Sequence, residues 1–333
     1  MEEVAAAAVD ELEGEGREDV SDDKVLRTLA RYFLQDLVEI FYPELAPEID
    51  FQKAEFLNGK LFARFRKKGH VRPDVAVKLR THDGDPQFGI FHAELEGRFT
   101  KAMEKRLKLY FHQIALEYDD PPVIAAVLFK RGGGPKAVER REVVRRMKSW
   151  VSNRFYYLAV SLSKCLAEEY VTRPQSLAPA LAALMGSEIW DRVEQKLRCL
   201  EAVSRAELDD ERRYLLTNVI EVYLDLDEEE DERFQQELDK GDRKEVKQMV
   251  LTWQEQIAAS EARGEARGEA RGRAEGLAEA ILRVFKSHGI TLDAENRQAL
   301  VACRDTALLR RWLDKALVAD SAAGILAELD DAK

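Results

Sequence analysis

The spacing of apolar residues changes twice along the first 130 positions. From Asp23, Val25, Leu26, Leu29, Phe33, Leu34, Leu37, Ile40 and Phe41 recur at three- and four-residue steps. That spacing lines one stripe of a helix. Ser21-Asp22-Asp23 supplies an N-cap and favourable charge at its start, and Pro43 ends it. The period then falls to two. FQKAEF (51–56) and LFARFR (61–66) read as strands joined through Asn58-Gly59, a hairpin signal. RPDVAVKLR (72–80) and QFGIFHAEL (87–95) continue the alternation across the turn THDGDP. KAMEKRLKLYFHQIALEY (101–118) returns to helical spacing, with Met103, Leu107, Tyr110, Ile114 and Leu116 on its apolar side. PVIAAVLF (122–129) is almost continuously apolar, as a central strand covered on both faces should be. A helix, four or five strands, and a helix before the last strand predict a compact mixed α/β unit.

Beyond Gly132-Gly133-Gly134 every segment reads as helical. ERREVVRRMKSW (139–150) is basic; YYLAVSLSKCLAEEY (156–170) and SLAPALAALM (176–185) are apolar. IWDRVEQKLRCLEAV (189–203) and ERRYLLTNVIEVYLDL (211–226) are amphipathic, and the charge run 227–242 reads as a solvated face. Residues 261–272 are three copies of EARG, followed by RAEG. Within the copies Glu and Arg stand two residues apart, so they do not pair along a helix, and each glycine costs about 1 kcal/mol there. This stretch is expected to be a linker or a weak self-association element. Five parts follow: an acidic, disordered tail (1–22), the α/β core (23–135), a helical extension (136–258), the EARG helix or linker (259–278) and a small helical unit (279–333).

Composition adds limits. No run of eighteen apolar residues occurs, so no membrane span is expected. The acidic start lacks the basic region of a signal peptide, and Cys165, Cys199 and Cys303 show neither metal-ligand nor disulfide spacing. A reduced, cytoplasmic protein is the expectation. The net charge is −11, yet residues 53–148 hold 22 Lys+Arg against 12 Asp+Glu, a local net of +10. A basic segment inside an acidic chain either meets phosphates or compensates acidic neighbours.

Candidate chemistry centres on FGIFHAELEG (88–97). Glu94 and Glu96 share one face of a strand, with His92 alternating into line. Two like charges on an apolar strand need compensation. Asp74 lies on the preceding strand and can approach Glu94 across an antiparallel pair. Three carboxylates make sense around Mg²⁺, which takes hard oxygen ligands and can activate a water against a phosphodiester. The residues alone leave a second reading open: Asp74 caps a strand, and the glutamates pair with Arg72 or Arg98. Arg106 either contacts phosphate or pairs with Glu94 or Glu96. The basic stretch from Lys130 to Lys148 either lines a DNA path, with Trp150 stacking on bases, or is an exposed helix face.

The order helix, strands, Asp, turn, strand with E-x-E, helix, strand resembles the PD-(D/E)XK nuclease fold. The stretches DDKVLRTLARYFLQDLVEIFYPELAPEIDF, RPDVAVKL, FGIFHAELEG and RLKLYFHQIALEY, with the downstream helices and the EARG repeat, are more closely similar to the recombination-promoting nuclease (Rpn) and transposase family, in its long form. This resemblance covers most of residues 22–320. It implies an α/β core with a mixed sheet flanked by helices, followed by an all-helical C-terminal region. It implies a DNA endonuclease that hydrolyses phosphodiester bonds with Mg²⁺ or Mn²⁺. Asp74 and Glu94 match the metal ligands and, with Glu96, would be the catalytic residues. Asp23, or Asp22, matches the acid of the first helix; Arg106 and Tyr110 match an Arg and Tyr of the next. Glu96 stands where the family has Gln and the superfamily Lys, which leaves open a weakened site in a DNA-binding or self-associating module. Lys101 or Arg98 is placed to supply the missing positive charge. The DNA-binding residues expected are Arg98, Lys101, Arg106, Arg140, Arg141 and Arg145. Cutting both strands favours a homodimer.

Overall fold

The computed structural model describes residues 22–57, 75–82, 88–96, 99–119, 121–130, 136, 138–241 and 243–318. It divides into two units, 1–255 and 256–333.

The first unit is built on a six-stranded mixed sheet in the order β1-β2-β3-β4-β6-β5. The strands are β1 (Glu55–Phe56), β2 (Val75–Arg80), β3 (Phe88–Glu96), β4 (Val123–Phe129), β5 (Glu139–Met147) and β6 (Trp150–Ser161). β1, β2 and β3 run antiparallel in turn; β3, β4 and β6 are parallel, and β5 pairs antiparallel with β6 at the edge. Helix α1 (Asp22–Phe41), kinked at Phe33, precedes the sheet, and α2 (Lys101–Glu117) is the crossover from β3 to β4. Thr100 caps α2, its hydroxyl accepting from the Met103 amide at 3.1 Å. Asp119, just past α2, has φ 60 and turns the chain back toward β4.

The period-two pattern sorts side chains between two cores. Val75, Val77, Leu79, Phe91, Ala93, Ala126 and Leu128 bury against α1 and the later helices. On the other face Ala125, Val127, Phe129, Phe155 and Tyr157 bury against Met103 and Leu107 of α2. β4 contributes to both, which accounts for its unbroken apolar run.

The helices after the sheet are α3 (Ala167–Val171), α4 (Ala178–Ala182), α5 (Arg192–Arg205), α6 (Asp210–Tyr223), α7 (Glu228–Leu238) and α8 (Lys244–Ser287). The charged run forms α7, closed by an Asp227/Glu230 capping box, and it buries Phe234 and Leu238. α8 runs unbroken through the EARG copies, whose glycines face open space. Where the repeat changes phase, Glu269 meets Arg273 at 2.6 Å and Arg271 meets Glu275 at 2.8 Å, the i,i+4 pairs that the copies cannot make among themselves. The second unit packs Ala274, Ala278, Ile281 and Phe285 of α8 against Leu300 of α9 (Ala294–Ala302) and Leu309, Trp312 and Ala316 of α10 (Thr306–Leu317). No helix among the described residues is long and apolar enough to cross a membrane.

Two expectations are corrected. Residues Phe51–Lys53 form a 3₁₀ turn, so only Glu55–Phe56 of FQKAEF is strand. More important, 139–161 is a β-hairpin and not helix. Short apolar runs do not distinguish the two by period. The β-branched pair Val143-Val144 and the aromatics Phe155, Tyr156 and Tyr157 suit a pleated surface. The turn is Lys148-Ser149, with Lys148 at φ 53, and it lacks the Asn-Gly signature that would have announced it. β5 is an edge strand, where arginines blunt the exposed backbone. The expected hairpin through Asn58-Gly59 and the strand 61–66 lie outside the described residues.

Candidate functional site

The alternation of β3 turns Phe91 and Ala93 toward α1 and His92, Glu94 and Glu96 toward α2. Glu94 is 2% exposed and His92 fully buried. His92 Nε2 lies 2.8 Å from Glu94 Oε1. An ionised carboxylate only accepts, so against it the imidazole donates from Nε2, and the buried Nδ1 has no hydrogen-bond partner among the described residues. The Tyr110 ring stands edge-on to the imidazole, centroids 5.0 Å apart, and holds its plane.

Arg106 projects from the same helix, four residues before Tyr110, and reaches both carboxylates. Its guanidinium is 3.5 Å from Glu94 Oε2 and in direct contact with Glu96. Two like charges on one strand face thus share one cation, a single guanidinium nitrogen, Nη2, reaching both carboxylates. Arg106 and Glu96 keep some solvent contact, at 36% and 18% exposure, whereas Glu94 has little. The end of β3 is tied to β4 by the Lys130 amide, which donates to the Glu96 carbonyl at 2.9 Å.

The other expected site residues fall as follows. Asp74 and Arg98 lie outside the described residues. β2 begins at Val75, directly after Asp74, and Val75 pairs with Ala93, the neighbour of Glu94. Asp23 is in the first turn of α1, the helix that covers the opposite face of the sheet. Lys101 opens α2, exposed, five residues before Arg106 and so on a different side of the helix. Arg106 brings a positive charge to Glu96; Arg98, offered with Lys101 for that role, lies outside the described residues. Arg140, Arg141 and Arg145 sit on β5, not on a helix, and alternation divides them. Arg141 and Arg145 share the α2 face, while Arg140 is on the other, its guanidinium 3.9 Å from the centroid of the Tyr156 ring. Reading 139–150 as helical hid this division; the Val-Val pair and following aromatics were the signal for it.

Glu94 and Glu96 offer hard oxygen donors, right in kind for Mg²⁺ or Mn²⁺. Among the described residues no group of three or more His, Cys, Asp or Glu is arranged to hold a metal ion. No family model matches the chain, and no curated protein or solved structure matches it.

Proposed function

We propose that the protein is a metal-dependent DNA endonuclease of the PD-(D/E)XK type, resembling the recombination-promoting nucleases. One observation carries the reading: β3 presents Glu94 and Glu96 on a single face beside the strand that starts immediately after Asp74. Asp74 and Glu94 would hold Mg²⁺ or Mn²⁺, which when bound would activate a water against the phosphodiester. His92 orients the Glu94 carboxylate through its 2.8 Å hydrogen bond. Arg106 neutralises the pair, and with metal bound to the carboxylates its partly exposed guanidinium would be available to a phosphate. Cutting both strands takes two such sites and hence two copies of the chain.

A second reading has its own support. Arg106 already bridges both carboxylates, so the site is compensated as a structural ion-pair network would be. On that reading the fold is a DNA-binding module with a weakened centre.

Plasmid cleavage separates the two. We expect nicking with Mg²⁺ or Mn²⁺, none with EDTA, and loss of at least about a hundredfold in Asp74→Ala and Glu94→Ala, as removal of a ligand to the activating metal implies. Absence of cleavage under every metal, with folded protein that still binds DNA, would leave the second reading standing.

A further inference from the structure

The β5–β6 hairpin has two unlike faces. On the side away from α2, the charges close on one another. Arg154 Nε meets Glu142 at 2.7 Å, Arg154 also donates to the Tyr156 hydroxyl at 3.3 Å, and Arg140 lies over the Tyr156 ring. On the α2 side, register aligns Arg141 with Tyr157, Val143 with Phe155 and Arg145 with Asn153; a bulge at Ser152 then interrupts the alternation before Met147 pairs with Trp150 at the turn. Phe155 and Tyr157 are core, so this row continues the sheet surface that bears the carboxylate pair.

Here the cations are not closed. Neither Arg141 nor Arg145 is within ion-pair distance of a carboxylate among the described residues. The nearby acid of α2, Glu104, accepts from the Tyr157 hydroxyl at 3.2 Å instead. Arg141 Nε and Asn153 Oδ1 are buried with no hydrogen-bond partner among the described residues. Beyond them Trp150 is 69% exposed and Met147 73%. The hairpin's Arg140, Arg141, Arg145, Arg146, Lys148 and Arg154 outnumber its two acids, Glu139 and Glu142, in a chain whose total is −11.

We infer that this face of the hairpin docks single-stranded DNA. Arg141 and Arg145 would take successive phosphates, and Trp150 would stack on a base. The polarity of the surface calls for a polyanion. The exposed indole narrows the choice, because a base shows its flat face to a side chain only when it is unpaired and unstacked. The placement fits a strand led to the carboxylates: β3 and β5 are three strand spacings apart in the sheet, on the order of 14 Å. Naming DNA over RNA rests on the endonuclease reading; the face itself does not.

The test is fluorescence anisotropy of labelled oligothymidylate with the full-length protein in EDTA, so that cleavage plays no part. Trp150→Ala should weaken binding about tenfold and Trp150→Phe less than about threefold, since a phenyl ring still stacks. Arg141→Ala/Arg145→Ala should reduce the slope of log affinity against log salt by about 1.4, two phosphates' worth for a single strand. Arg154→Ala, on the closed face, should change affinity less than twofold. Unchanged melting temperatures confirm that the variants fold. The inference is overturned if Trp150→Ala and the double variant bind as wild type does, if duplex of the same sequence binds as tightly, or if polyphosphate competes as well as DNA. Tighter binding of oligouridylate would overturn the DNA assignment. Binding that behaves as expected, in a protein that never cleaves, would sink the endonuclease reading and leave this one intact.

Discussion

The two faces of the central sheet are made from the same strands by the same alternation, yet they differ in kind. Toward α1, Phe91, Ala93, Val77 and Leu128 join one large apolar core. Toward α2, the apolar residues Ile90, Val127 and Phe155 are interrupted by His92, Glu94 and Glu96, and the row ends in Arg141 and Arg145. Burial of hydrocarbon is non-directional and tolerates much repacking. Burial of a carboxylate requires specific partners at specific distances. The first face therefore holds the sheet together. The second costs free energy to assemble, and the chain retains charge there against that cost.

The comparison can be broken most severely on the apolar face. Phe91→Ala removes a ring that is 1% exposed and packs edge-on to Tyr42 at 5.8 Å. We expect it to destabilise the first unit by about 3–5 kcal/mol, read by urea denaturation, from lost burial plus the cavity left behind.

On the charged face the effect is smaller and conditional on its partner. Arg106→Met removes the cation beside the buried Glu94. Breaking a fully buried pair costs about 3–5 kcal/mol, but Arg106 is partly solvated, so about 2 kcal/mol is expected. Adding Glu94→Gln to that variant should recover part of the loss, because an amide needs no counter-charge. A double variant as unstable as the sum of the two singles would mean that the pair is not coupled.

The smallest effect belongs to the closed side of the hairpin. Glu142→Ala removes the exposed partner of Arg154 and should change stability by less than about 0.5 kcal/mol. A larger loss would show that the hairpin depends on that pair, and the contrast between its two faces would have to be redrawn.

Much of this was legible in the pattern of residues. The alternation in FGIFHAELE set which side chains of β3 share a face, and so placed His92, Glu94 and Glu96 together before any contact was known. The 3.6-residue spacing of Met103, Leu107, Tyr110 and Ile114 located α2 and its buried side, although Leu116, read with them, is exposed. Arg106 was recognisable as a candidate partner for Glu94, one of two roles then open to it. The hairpin was marked only by its β-branched and aromatic residues: its edge strand carries charge on both faces, and its turn uses a lysine at positive φ, so neither alternation nor turn chemistry announced it.

By itself the sequence determined the local periods and the two carboxylates on one strand face, because each follows from covalent spacing along a single element. Only the tertiary structure decided that one arginine spans both carboxylates, that β5 and β6 extend the sheet, and that Arg141 and Arg145 face one way and Arg140 the other. Those outcomes depend on which strands become neighbours and on what the folded chain packs against each face. Sequence separation does not encode that pairing, and the burial of each face is settled only when the whole sheet closes.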